Sequence, residues 1–400
     1  MRVPRVAYFP DSFHEVNGVA HTSRNFTAYA QRHHLHFLCV RAGTRAVEYE
    51  QAGALRTLEL ERSRASVSME KDLEFDALFW RHGDTIRQEL ERFKPDVIHI
   101  TGPSELGMFG AYYAWEMGIP LAASWHTNVH EYAARRTGWL TEKMSREIAA
   151  ATEQHIESGA LWLTSQFYRL AKVLFAPNTE LCTMLEQATG RPCHLMQRGV
   201  ETEQFTPARR TRTDDDSRVV LGYVGRLSVE KNVALLARVE RELAVMGIEN
   251  VSFLIIGQGN EEEALRRDLK HCELAGVLRG EALARAYADM DILVFPSHTD
   301  TFGNVVLEAL ASGVPAVVTP DGGPKYIVRD QETGFVTEDD GFAAAIATLV
   351  RDRVRLRIMR EKAREYALGC SWDAVFDRVY AAYAQELPEA EFVRFEAVKA

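Results

Sequence analysis

The chain has 400 residues, with 46% hydrophobic and 26% charged residues and a formal net charge of −10. Single cores stop growing near ~250–300 residues, so a soluble globular chain of this length is expected to hold two or three domains. The acidic balance argues against a general nucleic-acid binder, whose affinity rests on neutralising phosphates. Five dispersed cysteines (Cys39, Cys182, Cys193, Cys272, Cys370), none in a Cys-x-x-Cys spacing, argue against a disulfide framework or a zinc site and fit reduced thiols.

The N-terminal apolar run is too short for a secretory leader. No uninterrupted apolar stretch of ~18 residues predicts a transmembrane helix. The first strand is expected at 6–9. A polar turn carrying His14, Asn17 and Gly18 follows it, and then a helix over 20–31. A strand, a glycine-bearing turn and a helix can bring backbone amides close to a phosphate. Asn17-Gly18 is equally the ordinary signature of a tight turn. Strands at 35–40, 96–101 and 121–125 alternate with helices over 76–93 and up to Met117. That alternation predicts a doubly wound parallel sheet, with ligands beyond the carboxyl ends of the strands. His126, Asn128 and His130 fall just past such an end. Residues 139–172 read as a long helical region. Arg135, Arg136, Arg169 and Lys172 flank it, and they could meet an anionic acceptor or lipid headgroups, or could form a solvated face.

The polar, proline-bearing segment 206–217 reads as an interdomain linker, after which the α/β rhythm restarts. A strand at 219–224 runs into Gly225-Arg226-Leu227-Ser228-Val229-Glu230-Lys231, a turn opening a helix to Met246. Arg226 and Lys231 stand five positions apart across it, a guanidinium fork and a compact charge suited to a diphosphate. A strand ends at Gly257-Gln258-Gly259, a helix runs to His271, and Leu278 and Gly280 precede another helix. The strand 292–295 then leads into Pro-Ser-His-Thr-Asp-Thr-Phe-Gly-Asn-Val-Val-Leu-Glu, residues 296–308. Asp300 precedes the helix and Glu308 lies within it. Each could hold a sugar diol, and the amides of Gly303, Asn304 and Val305 could face an anion. Helices fill most of 340–385.

Asp300 to Glu308 resembles the carboxylate-x7-carboxylate signature of retaining nucleotide-sugar glycosyltransferases of family 4, although the usual first acid is Glu. Gly225, Arg226 and Lys231 resemble that family's Gly-Arg…Lys pattern, Asn17-Gly18 its first loop, and His126-Thr127 its His-Thr motif. The resemblance implies a GT-B fold, with two Rossmann-like doubly wound parallel-sheet domains facing a central cleft. The implied boundaries are an acceptor-side domain over 1–206, a linker over 207–217 and a donor domain over 218–371, with a helix from about 372 to 400 crossing back.

It further implies retaining transfer of a hexosyl unit from a nucleotide diphosphate sugar, UDP preferred to GDP, giving an α-glycoside. His126, Arg226, Lys231 and Asp300 would be catalytic. Asn17, Gly18, Gly225, Gly257, Leu278, Gly303, Asn304, Val305 and Glu308 would bind donor, and His14, Asn128 and His130 would face the acceptor. No metal or other cofactor is expected. The partners would be the nucleotide sugar and a lipid or carbohydrate acceptor, with no nucleic acid, in the cytoplasm and with peripheral contact at the inner membrane face as a further expectation. The competing readings are a sugar-nucleotide epimerase or hydrolase on the same fold and a non-catalytic binding protein. A dehydrogenase is disfavoured because no Gly-x-Gly-x-x-Gly follows the first strand.

Overall fold

A computed structural model describes the chain except residues 1–2, 16–17, 44–47, 64–66, 71–72, 77, 126–161, 214–215, 217, 301 and 388–400. It divides into two compact units, Met1–Arg198 with Val375–Ala400, and Gly199–Ala374.

In the first unit, β1 (Val6–Phe9), β2 (Phe37–Gly43), β7 (Val97–Ile100), β8 (Leu121–Ser124), β9 (Val173–Ala176) and β10 (Cys193–Leu195) run parallel. With β3 (Glu48–Ala52) and β4 (Leu55–Glu61) they form one sheet of order β10-β9-β8-β7-β1-β2-β4-β3, in which only β3 is antiparallel. β5 (Val67–Glu70) and β6 (Leu73–Phe75) form a separate antiparallel pair. The runs Val-Ala-Tyr-Phe and Val-Leu-Phe-Ala are buried at every residue, as strands covered on both faces must be.

Helix α1 (Gly18–Arg32) covers one face, and α2 (Gly83–Phe93) and α3 (Glu105–Met117) pack with the core of Phe9, Ile98, Ile100 and Leu90. Where a helix is expected from 76, the described residues 78–82 are instead a turn and a 3-10 helix, Phe79–His82. The Asp76 carboxylate at its head accepts from Ser63, from the Leu78 amide and from Arg81. Helix α4 (Thr179–Thr189) starts on an Asn178 cap, whose side chain accepts from Leu181 N at 2.8 Å, and stops at left-handed Gly190. Residues of the last described helix complete this unit: Phe376 stacks on Phe26 at 4.4 Å. Tyr383 hydrogen-bonds Nδ1 of His99, whose Nε2 lies 3.0 Å from Ser124 Oγ. His99 is thus a satisfied core histidine.

The second unit is a six-stranded all-parallel sheet of order β13-β12-β11-β14-β15-β16. Its strands are β11 (Val219–Val224), β12 (Val251–Ile256), β13 (Cys272–Gly276), β14 (Ile292–Phe295), β15 (Ala316–Val318) and β16 (Gly334–Val336). Helices α5 (Ala234–Val245), α6 (Glu262–Asp268), α7 (Gly280–Asp289), α8 (Asn304–Ala311), α9 (Phe342–Arg351) and α10 (Arg353–Leu368) accompany them, and α11 (Trp372–Glu386) closes the described chain. Sequence reading ran the helix after Gly259 on to His271. It stops at Asp268 because Leu269 turns extended, and β13 follows with no fully buried residue and Glu273 exposed, so it lacks the apolar run that marks an inner strand. Segment 207–217, read as a linker, belongs to this unit. Arg210 and Arg212 both grip the buried Asp291, at 2.9 and 2.7 Å. Those bonds and the Val220 amide outweigh the burial that pushes the Asp291 carboxyl up, and hold it below the usual range. Among the described residues no helix is long and apolar enough to cross a membrane.

Candidate active site

The strand order of the second unit reverses between β11 and β14, which lie side by side and parallel. The loops leaving their carboxyl ends therefore emerge together, at the place where open α/β sheets bind ligands. The first carries Gly225 to Lys231 and the second Pro296 to Gly303.

The helix expected to open between Arg226 and Lys231 starts later. Val229–Lys231 is a 3-10 turn, Asn232 adopts φ 52°, and α5 begins at Ala234. The turn aims Lys231 across the gap between strands, and its Nζ donates to Asp300 Oδ2 at 2.6 Å. Arg226 is exposed and lies 3.6 Å from Glu230, while its backbone carbonyl accepts from the Tyr223 hydroxyl at 2.9 Å. The backbone of this turn is fixed, and the guanidinium is left to reach a ligand.

Asp300 is held by its own backbone, since its carbonyl accepts from Gly323 N at 2.7 Å. A Cβ on Gly322, at φ +68°, would collide with that carbonyl, so the loop after β15 requires glycine there. His298 anchors the same loop: Nδ1 is 2.8 Å from Asp321 and Nε2 is 3.1 Å from Asp339, which also accepts from Asn232 at 3.0 Å. The bond to Asp321, reinforced by Asp339, outweighs desolvation and raises the imidazole above its ordinary pKa.

Gly303, at φ 90°, caps α8 without a side-chain bond, and among the described residues the first-turn amides of exposed Asn304 and half-buried Val305 have no side-chain acceptor. Such a terminus favours an anion. One turn further, Glu308 Oε2 accepts from the Tyr287 hydroxyl of α7 at 2.8 Å. Burial pushes the Glu308 carboxyl up to about 7, against the opposing pull of that bond. Burial also lifts the Tyr287 phenol well above its usual range, so it remains a donor. The loop after β12 presses on the loop after β11: Gly257, at φ +142°, donates to Gly276 O at 2.8 Å, and a Cβ there would strike Gly225 O. Gly257→Ala is expected to cost about 1–3 kcal/mol through backbone strain and this collision. It would be read as a lower denaturant midpoint at unchanged slope. Leu278 is half-buried, and Gly280 opens α7 at φ +55°.

In the first unit the order reverses between β1 and β7. Gly18 starts α1, and the space a Cβ would occupy is filled by the Arg198 guanidinium, so a side chain there would displace a cation from the loop. Asp11 lies at the end of β1. Its amide donates to Thr101 Oγ1 at 2.7 Å, and its carboxylate accepts from Ser104. Burial, partly offset by the Ser104 bond, raises that carboxyl to about 6. His14 Nε2 is 3.1 Å from Glu59, which also accepts from Arg41 Nε at 2.7 Å. Burial pushes Glu59 up, but Arg41 and then His14 outweigh it and hold the carboxyl below its ordinary range. Asn17, His126, Asn128 and His130 lie outside the described residues.

Residues 16–204 match the family description "Glycosyltransferase Family 4", and residues 218–352 match "Glycosyl transferases group 1". A GDP-mannose-dependent alpha-mannosyltransferase of Mycolicibacterium smegmatis is 33% identical over 304 residues, 74% of each chain. This chain is a family 4 glycosyltransferase. The sulfoquinovosyl transferase of Arabidopsis thaliana is 31% identical over 315 residues, 74% of this chain and 57% of that protein. Among solved structures, sucrose-phosphate synthase of Thermosynechococcus elongatus superposes with a TM-score of 0.61 at 16% identity, covering 95% of this chain and 98% of that one. HepE of Anabaena in complex with UDP gives a TM-score of 0.61 at 15% identity, covering 95% and 100%. The fold is therefore GT-B, and the enzyme is a hexosyltransferase that uses a nucleotide-sugar donor.

For this glycosyltransferase the sequence singled out residues that the second unit brings together. Lys231 pairs with Asp300, and Gly303, Asn304, Val305 and Glu308 share one helix start. Tyr287, His298, Asp339, Asp11 and Arg198 are not among the residues that the sequence singles out. His298 alone carried a signal, since it lies within the motif two residues before Asp300.

Proposed function

We propose that this glycosyltransferase moves a mannosyl unit from GDP-mannose to a hydroxyl of a lipid or carbohydrate acceptor, with retention, giving an α-mannoside. The observation that carries the transfer reading is the 2.6 Å Lys231–Asp300 pair beside the start of α8. It sets a cation for the leaving diphosphate against a carboxylate for the sugar hydroxyls. Arg226 adds a second cation, and Glu308 takes the ribose diol. His126 would contact the reacting sugar.

As the bond from the anomeric carbon to the phosphate oxygen breaks, the acceptor oxygen bonds that carbon on the same face. Its proton passes to the departing phosphate oxygen, and no protein base is required. Positive charge on the sugar and negative charge on the diphosphate are stabilised by groups already in place. Sequence reading leaned toward a UDP sugar. The mannosyltransferase relative moves the proposal to GDP-mannose, while dependence on that donor is a property of the relative.

A thermal-shift panel of nucleotide sugars tests the donor, because a ligand of the native state alone raises its apparent stability. GDP-mannose is expected to shift the midpoint most, and a larger shift with any UDP sugar would overturn the assignment. In the same panel Asp300→Asn is expected to lose the extra shift of the sugar nucleotide over free GDP while keeping the shift of GDP itself. Equal losses would remove Asp300 from the sugar. Excess chelator is expected to leave turnover unchanged, and a loss restored by a divalent cation would refute the metal-free reaction.

A further inference from the structure

The sequence places His298 on a loop, two residues before Asp300 and directly after the buried Ser297. A histidine on a loop is ordinarily a solvated side chain. This one meets an acceptor at each ring nitrogen, and the two acceptors come from different parts of the chain. Nδ1 lies 2.8 Å from Asp321 Oδ2, on the loop after β15. Nε2 lies 3.1 Å from Asp339 Oδ1, on the 3-10 turn that precedes α9. Two carboxylate acceptors require a donor at both nitrogens, which only the imidazolium supplies. Both acids favour that charged form.

Each acid leads on to one member of the Lys231–Asp300 pair. Asp339 accepts through its other oxygen from Asn232 Nδ2 at 3.0 Å, and Asn232 is the left-handed residue that ends the turn carrying Lys231. Asp321 heads a turn whose Gly323 amide donates to the Asp300 carbonyl at 2.7 Å. The approach is close, since a Cβ on Gly322 would strike that carbonyl. A further tie joins the two loops directly, Thr299 Oγ1 donating to the Glu230 carbonyl at 3.4 Å. The imidazole thus stands where the segments after β11, β14, β15 and β16 meet, and it links the backbone under Lys231 to the backbone under Asp300.

We propose, resting on the donor role assigned above to Lys231 and Asp300, that His298 is a positioning residue of the transferase: a cation bridging Asp321 and Asp339 that sets where the pair meets the donor. His298 acts through Asn232 on one side and the Gly322–Gly323 turn on the other. Lys231 must lie against the diphosphate as it departs, and a misplacement of about 1 Å can cost on the order of 100-fold in rate. The competing reading is an ordinary surface ion pair, which adds little to stability and leaves catalysis unchanged. The side chains of His298, Asp321 and Asp339 are 36%, 57% and 36% exposed, so the fold does not depend on them.

The test is steady-state kinetics with melting curves on the full chain. His298→Ala is expected to lower kcat ~10- to 100-fold with the donor KM unchanged, as for an interaction felt only in the transition state. Its melting midpoint should stay close to the native one. His298→Gln is neutral and has one donor group, so it should recover little. His298→Arg restores a cation that can fork to both acids and should recover part of the rate. This comparison, at matched melting midpoints, holds even where His298→Ala unfolds. Asp339→Ala cuts the bonds to His298 and Asn232 together, and combining it with His298→Ala should cost little more than either alone. Near-native kcat in His298→Ala would overturn the proposal. So would a loss confined to KM, equal recovery by His298→Gln and His298→Arg, or losses that multiply in the double variant. Lys231→Ala, run alongside, separates the two readings. Near-normal turnover there removes the donor role itself, whereas its loss beside an unaffected His298→Ala removes only the positioning.

Discussion

Lys231→Ala is expected to lower kcat on the order of 100- to 1000-fold, the range found when one preorganised charge-stabilising donor is removed. The fold should survive, because a partly exposed ion pair contributes only about 0–1 kcal/mol. Its two side chains keep 21% and 26% of their exposure. The loss would arise from the reaction itself. With Lys231 gone, Asp300 meets the departing diphosphate as an uncompensated carboxylate, and Arg226, exposed and tied loosely to Glu230, cannot occupy the same place. Lys231→Arg would restore charge without the compact geometry and should recover only part of the rate. Steady-state kinetics with melting curves checks this. A variant with near-normal kcat would remove Lys231 from the diphosphate.

The double mutant sharpens the point. Residues in direct contact are not additive. If Lys231 and Asp300 act as one unit on the donor, Lys231→Ala with Asp300→Asn should cost little more than Lys231→Ala alone. Independent roles would instead multiply the two losses.

What the sequence made legible follows physical range. The buried runs 219–224 and 292–295 have the length and β-branched content of inner parallel strands, and the loops after them could be placed at one edge before any coordinates. Asp300 and Glu308 were readable because the helix between them is local. Partners from distant segments were not. Tyr287 reaches Glu308 from another helix, and Asp339 reaches His298 across 41 positions. Such contacts leave no period in the chain. Edge elements failed for a related reason. β13 and β3, at the ends of their sheets, carry polar residues such as Glu273, Glu48 and Glu50, so no buried apolar run announces them. The start of α5 was misplaced because Lys231 and Asn232 are compatible with helix by composition. The left-handed backbone of Asn232 becomes visible only with its side chain on Asp339.

The pH dependence of the enzyme should be traceable to Glu308. Its carboxyl rises from 4.5 in the unfolded chain to about 7 in the native protein, with burial as the cause. The native state therefore binds more protons than the unfolded state between those values, and stability must fall as pH rises through that window. The total is on the order of 3 kcal/mol, and it is fully present only below about 4.5. Glu308→Gln keeps the hydrogen-bonding shape and removes the titration, so its melting midpoint should lack this slope.

Donor affinity should show the opposite sign. A ribose diol donates its hydroxyl protons and is held best by the carboxylate. Affinity should therefore increase as pH rises through about 7, and bound donor should pull the pKa down. Glu308→Gln, a neutral acceptor, should bind nucleotide ~10- to 100-fold more weakly at high pH and with little pH dependence, since a hydrogen bond to a charged group is worth about 1.5–3 kcal/mol. Calorimetry of nucleotide binding against pH, alongside melting curves for both proteins, separates the two effects. Parallel pH slopes in native and variant protein would show that Glu308 is not the titrating group. An affinity that falls with rising pH in the native protein alone would mean that the diol is held by the protonated acid instead.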